Sequence, residues 1–307
     1  MTTTLENDHN VYILGAGFSV DAGLPLVPDF LSRMRDATQS LDATKHAEES
    51  RAIERVLAFR ETAASAAYRT QMDVENVEEL FSLASAAGGD ALHRDMRLAI
   101  AATIEFCQVT AQTYKRIGQI TLKKERWGAS PLAKTTWKPK AADTGYGDQI
   151  AVFELPVHDL YVAGMLGILG ENRSGRRNTF VTFNYDLVLE DALRRASVDI
   201  DYGVASSHMT SAVSWVKPGD GVQVLKLHGS VNWAFPGKRG KRMTAFDDYQ
   251  AVRAQGLAPV LIPPTWRKDF GYTQLDQVWD MAVSALSTAT RVVVIGFSIP
   301  PSDLHFR

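Results

Sequence analysis

Val11-Tyr12-Ile13-Leu14-Gly15-Ala16-Gly17-Phe18-Ser19-Val20-Asp21-Ala22-Gly23-Leu24-Pro25 carries the strongest structural signal in the chain. A short apolar run closed by a glycine-rich turn reads as a buried parallel strand. Closely spaced glycines after such a strand let the backbone approach a pyrophosphate, and the helix that follows offers unpaired N–H groups to it. Gly15 and Gly17 fit that role, and Ser19 adds a hydroxyl suited to a phosphate or ribose. The spacing departs from the ordinary dinucleotide fingerprint. Gly23 follows Gly17 by six residues instead of three, and no acidic strand end comes about twenty residues later. Taken alone, the motif suits a tight structural turn as well as it suits a nucleotide site.

Further strands are expected at Phe180 to Phe183, Val222 to Leu227, Pro259 to Ile262 and Arg291 to Ile295. Helical patterns fall between them. Leu187 to Ala196 is one, and Gln274 to Ala289 places Leu275, Val278, Trp279, Ala282 and Leu286 on a single face. Alternation of this kind predicts an α/β fold, a Rossmann-like and mostly parallel sheet. Residues 31–170 read differently, rich in Ala, Glu, Arg and Leu with few strand signals. They are expected to form a long helical insertion within one domain spanning 1–307, leaving the core at about 9–30 and 171–307. Within the insertion, Asp73 is read as the cap of a helix whose Val74, Val77, Leu80, Phe81 and Ala84 share a face. Thr121 to Gly147 is read as an irregular loop. After Pro300-Pro301, Ser302 reads as a helix cap with too few residues behind it for a stable helix, so the natural chain is expected to continue past Arg307.

Composition sets the outer bounds. The 307 residues are 45% hydrophobic and 22% charged, with a formal net charge of -2, so no global positive field draws the molecule to nucleic acid. Basic clusters at Arg173, Arg176 and Arg177 and at Lys238, Arg239, Lys241 and Arg242 read as solvated loops, and no direct nucleic-acid binding is expected. The single cysteine, Cys107, excludes an internal disulfide and a multi-cysteine zinc site. The start MTTTLENDHN lacks signal-peptide character, and no apolar run reaches bilayer-spanning length. A cytoplasmic protein without membrane contact is expected.

Four separated motifs make a family resemblance. Gly15-Ala16-Gly17-Phe18-Ser19 with Ala22-Gly23-Leu24-Pro25 resembles the GAGxS…AGxP opening of SIR2-like proteins. Thr182-Phe183-Asn184-Tyr185-Asp186 resembles their TxNYD element, Leu227-His228-Gly229-Ser230 their HG element, and Gly296-Phe297-Ser298-Ile299-Pro300 the GxS loop that meets the adenosine end of NAD. All four fall at expected strand C-terminal ends, where ligands sit in open parallel sheets. The resemblance covers the two ends of the chain and not the helical insertion. It departs from lysine-deacylating members, whose zinc module needs two Cys pairs. The chain looks most like the zinc-free branch that resembles bacterial antiphage effectors which destroy NAD.

What the resemblance implies is an NAD glycohydrolase, with NAD as substrate and no metal. Gly15, Ala16, Gly17, Ser19, Pro25, Asp186, Gly296 and Ser298 would contact NAD, with the Asp186 carboxylate on the nicotinamide amide. Asn184 would position water and a ribose oxygen, since an amide both accepts and donates. His228 would be the base, because imidazole titrates near neutral pH. Each has a plainer alternative: Asn184 as a helix cap, His228 as a strand-end histidine bonded to backbone. Asp303 could touch the adenine ribose or simply start a helix, and Trp233 and Trp266 read as core or loop aromatics. His158-Asp159 lacks a third ligand for a metal, and the remaining histidines (His9, His46, His93, His208, His305) have no motif context. Rival functions are a catalytically idle NAD or ADP-ribose sensor, and an ADP-ribosyltransferase or deacylase. A serine hydrolase using Ser230 with His228 fails for lack of a nucleophile elbow. An NADase must be restrained, so a homo-oligomer or a complex with a regulatory or defence partner is expected, partly through the insertion.

Overall fold

A computed structural model describes residues 8–42, 44–87, 89–111, 117–123, 135–142, 150–168, 176–203, 221–236, 243–265 and 273–298. The fold is α/β and Rossmann-like. Strands β1 (Asp8–Leu14), β5 (Arg176–Thr182), β6 (Ile200–Asp201), β7 (Val222–Lys226) and β12 (Arg291–Ile295) form one sheet in the order β12-β1-β5-β7-β6. Every pairing in it is parallel. β1 lies between β5 and β12, and Val11, Tyr12, Ile13 and Leu14, which alternate between its two faces, are all buried. This is why the stretch is apolar throughout and does not alternate. β12 is reached only after the chain has built the other side of the sheet, so the order reverses beside β1. Ligands of open parallel sheets bind at such a reversal.

Helices α1 (Ala16–Ser19), α2 (Phe30–Ser40), α3 (Ala47–Thr70), α4 (Val77–Ala87) and α5 (Asp90–Ala111) follow β1. Their apolar faces converge: Leu31, Met34, Ile53, Val56, Leu80, Phe81, Met96 and Ile100 are each at most 1% exposed. In α4 the expected face is buried at Val77, Leu80, Phe81 and Ala84. Its cap is Asn76, whose Oδ1 accepts from the Glu78 N–H at 2.9 Å. Asp73 instead closes a turn on the Glu75 N–H. Three residues nearer the helix, the asparagine reaches the orphan N–H that the aspartate cannot.

The segment between α5 and the sheet is not an irregular loop where it is described. β2 (Ile117–Lys123), β3 (Lys140–Ala142) and β4 (Ile150–Pro156) form an antiparallel sheet in the order β2-β4-β3, and α6 (Val157–Met165) follows. Residues 124–134 and 143–149 of that stretch lie outside the described residues. Ala151, Phe153 and Leu155 are buried on alternate positions of β4, a period-two pattern hidden in sequence by the apolar Val152 between them.

After β5 and α7 (Val188–Arg195), two small antiparallel ladders form: β8 (Gly229–Ser230) with β11 (Val260–Leu261), and β9 (Trp233–Ala234) with β10 (Thr244–Ala245). The Pro259 to Ile262 strand therefore pairs antiparallel with the segment after His228 and lies outside the parallel sheet. α8 (Tyr249–Ala254) precedes it, and α9 (Thr273–Ser287) covers the sheet with Leu275, Val278, Ala282 and Ala285. Cys107 is buried and free. No helix among the described residues is long and apolar enough to cross a membrane.

Candidate active site

The sheet's reversal point is bordered by a cavity of about 620 Å³. Its walls begin where strands end: Gly15 after β1, Phe183 after β5, His228 just past β7 and Gly296 after β12. Gly15, Ala16, Gly17, Ser19, Pro25, Asn184, Asp186, His228, Gly296 and Ser298 all line it. Residues up to 283 positions apart in sequence thus share one wall because four parallel strands stop at the same edge of the sheet.

The glycine-rich turn is locked against the β12 loop, backbone to backbone. Gly15 N–H donates to Ile295 O at 3.0 Å and Gly17 N–H to Gly296 O at 2.9 Å. A Cβ at Gly17 would stand 2.8 Å from Gly296 Cα, and one at Gly15 would stand 2.5 Å from Gly296 O. Gly296 itself has φ +61, and its Cβ would meet Phe18 N at 2.3 Å. These glycines are required by mutual packing. The N–H groups of Gly17 and Phe18 are already spent, on Gly296 O and Gly15 O, so the turn offers a diphosphate fewer donors than its sequence suggests.

The turn after β5 is held from several sides. Asn184 Nδ2 donates to Gly15 O at 2.9 Å and to Ser19 Oγ at 3.0 Å. Both amide N–H groups are engaged, which leaves the Oδ1 carbonyl oxygen as its acceptor for a ligand or water. Ser19 is 1% exposed, and its hydroxyl helps hold the Asp186 carboxyl down against burial. Its hydroxyl oxygen accepts from Asn184 on the same side as Asp186. Asp186 Oδ1 accepts from the Val188 N–H at 2.9 Å, closing a turn over Leu187, which occupies the N-cap of α7; neither Asp186 nor Asn184 caps that helix. Burial pushes the Asp186 carboxyl up from its ordinary value, while the Lys226 charge, the Val188 N–H and the Ser19 hydroxyl oppose that rise. Tyr185 donates to Ile262 O at 2.6 Å, tying the turn to the end of β11.

His228 is buried, with its ring set edge-on to Phe183 at a centroid distance of 5.1 Å. Phe183 in turn stacks on Phe297 at 4.4 Å with the rings 7° apart. The His228 carbonyl accepts from the Ile262 N–H at 2.9 Å. That bond is made by the main chain, and His228 lines the cavity.

Sequence reasoning missed the wall that the insertion supplies: Phe30, Val77, Glu78, Ile100 and Ile104 all line the cavity. Their only signal was helical periodicity, which marks an apolar face but not what it covers. It also missed Lys226, whose ammonium reaches the Asp186 carbonyl. Elsewhere the plain readings stand. Trp233 is fully buried core. His158 Nε2 lies 2.7 Å from Phe18 O, bracing α1 from α6. Asp159 pairs with Arg195 at 2.6 Å and accepts from Trp137 Nε1 at 2.8 Å. His9 bonds Thr288 and Thr179, and Ser230 bonds Asn232 at 2.6 Å. Among the described residues no cluster of His, Cys, Asp or Glu could hold a metal ion. Ile299 and Pro300 of the GxS motif, Ser302, Asp303, Trp266, Arg173 and the Lys238 to Arg242 cluster lie outside the described residues.

Residues 178–306 match the SIR2-like domain family. SIR2-like domains use NAD. The matched stretch holds Asn184, Asp186, His228, Gly296 and Ser298, and the Gly15 to Pro25 turn precedes it. No curated protein matches the chain.

Proposed function

We propose that this SIR2-like chain is an NAD glycohydrolase that cleaves the bond between nicotinamide and ribose to give nicotinamide and ADP-ribose. One observation carries the reading: Asn184, Asp186 and His228 line a single cavity with the glycine turn and the Gly296 to Ser298 loop. The leaving nitrogen of NAD is cationic, so nicotinamide departs with the C1′–N bonding pair and needs no acid. What the protein must supply is orientation and a water on the opposite face of an oxocarbenium-like ribose. Asp186 holds the carboxamide, and the Asn184 carbonyl oxygen orients the water. As the water oxygen bonds to C1′, His228 takes its proton and then releases it to solvent.

The apolar insertion wall formed by Val77, Ile100 and Ile104 lowers the local dielectric and keeps bulk water out, which strengthens these polar contacts. In the same reading the chain is a regulated, cytoplasmic antiphage effector that depletes NAD, acting as a homo-oligomer or with a defence partner. The test is purified protein incubated with NAD and no acceptor. Stoichiometric free nicotinamide and free ADP-ribose are expected. Little of either marks a strict transferase or deacylase, and NAD binding with no product marks a sensor.

A further inference from the structure

Lys226 is the last residue of β7 and is 1% exposed. Its Nζ donates to two acceptors: the Asp186 main-chain carbonyl, and Glu190 Oε1 on α7 at 2.8 Å. Glu190 is equally buried and also accepts from the Tyr202 hydroxyl at 3.3 Å. A buried ion pair is an expensive way to fill space, because each ion costs several kcal/mol to desolvate and an apolar pair of like volume packs as well or better. Lys226 does something an apolar residue could not. It bonds the backbone of the turn that carries Asn184 and Asp186, and it stands two residues before His228 in the same strand end.

We propose that Lys226 is a positioning residue, which fixes the Asn184 to Asp186 turn relative to His228 and so sets the separation of the two groups that act on the water. The proposal rests on the glycohydrolase reading. The turn is already held by Gly15 and Ser19 on the β1 side and by Val188 on its own helix. Lys226 supplies a hold from the strand that leads to His228. Loss of that hold leaves the NAD-lining residues in the cavity but lets the turn shift against the base.

The experiment is the double variant Lys226→Met/Glu190→Gln in the full chain, which removes both charges together and leaves no uncompensated ion. Nicotinamide release and the melting temperature are measured beside wild type. A displacement of about 1 Å costs on the order of 10²-fold in rate, so kcat is expected to fall about that much, with a clearly smaller rise in KM because Asp186 rides on the same turn. A folded variant with wild-type kcat, whatever its melting temperature, overturns the proposal by reducing Lys226 to a structural role. If the double variant fails to fold, Lys226→Arg takes its place. It keeps the cation but displaces the donors, and the same split is required of it. Wild-type protein that releases no nicotinamide defeats the glycohydrolase reading itself, a result read from wild type alone and so distinct from an active wild type with an unaffected variant.

Discussion

Asn184 Nδ2 lies 3.0 Å from Ser19 Oγ, across 165 residues of sequence, and the same hydroxyl opposes the upward push of burial on the Asp186 carboxyl. One buried hydroxyl therefore helps set the orientation of the amide on this cavity wall. The glycine turn is accordingly more than a floor for a diphosphate. It reaches the chemistry through Ser19.

Replacing His228 or Asn184 with Ala is expected to separate chemistry from binding. Loss of a general base typically lowers the rate about 10²–10⁴-fold, so His228→Ala should lose kcat while NAD affinity changes little. Asn184→Ala should do the same, with some loss of stability because its amide also bridges Gly15 and Ser19. Calorimetric NAD binding and nicotinamide release measured side by side decide it. Near-normal turnover in both variants would remove the proposed site.

Gly17→Val and Gly296→Ala should each lower stability and NAD affinity together. A left-handed backbone conformation costs a non-glycine residue about 1–2 kcal/mol, and at Gly296 the overlap with Phe18 N adds to it. At Gly17 the added carbons meet the Gly296 backbone, which has nowhere to retreat. Thermal unfolding with and without NAD reads both effects. An unchanged melting temperature with NAD affinity abolished would mean that these glycines serve the ligand and not the loop lock.

Burial pushes the Cys107 thiol up from 9.0 to about 11. Below about pH 9 the thiol is neutral in the folded and unfolded chains alike, and the full stability is present. As pH rises from there toward about 11, the unfolded chain ionises first, and stability falls by about 1.4 kcal/mol per pH unit from this group. Cys107→Ala should flatten that part of a denaturation series in pH. Native protein should resist thiol alkylation near pH 8 until denaturant is added. Rapid alkylation of the folded protein would contradict the burial.

A structural zinc needs ligands the chain does not have in cysteine. Elemental analysis of purified protein should therefore find no stoichiometric zinc, and an acetyl-lysine peptide with NAD should yield no deacetylated product. Either result reversed would return the chain to the deacylase class.

The sequence by itself determined the sheet and the edge at which the site lies. Val11 to Leu14 is a continuous apolar run, Val222 to Lys226 and Arg291 to Ile295 are mostly apolar, and each leads within two residues into a polar or glycine motif. A buried parallel strand must be apolar along its length, and its ligand-facing residues must come at its C-terminal end. That rule needs no knowledge of distant partners. Tertiary structure decided how each polar group spends its hydrogen bonds. Ser19 looked like a phosphate donor because it follows the glycine-rich turn, yet its hydroxyl oxygen accepts from Asn184, 165 residues away. Lys226 looked like one more residue of a strand, yet it pairs with Glu190 and holds the Asp186 carbonyl 40 positions away. Ile100 and Ile104 declared an apolar face without declaring that it would close the cavity. A hydroxyl or an ammonium has few bonds to give, and which acceptors receive them depends on segments brought together only by the folded core.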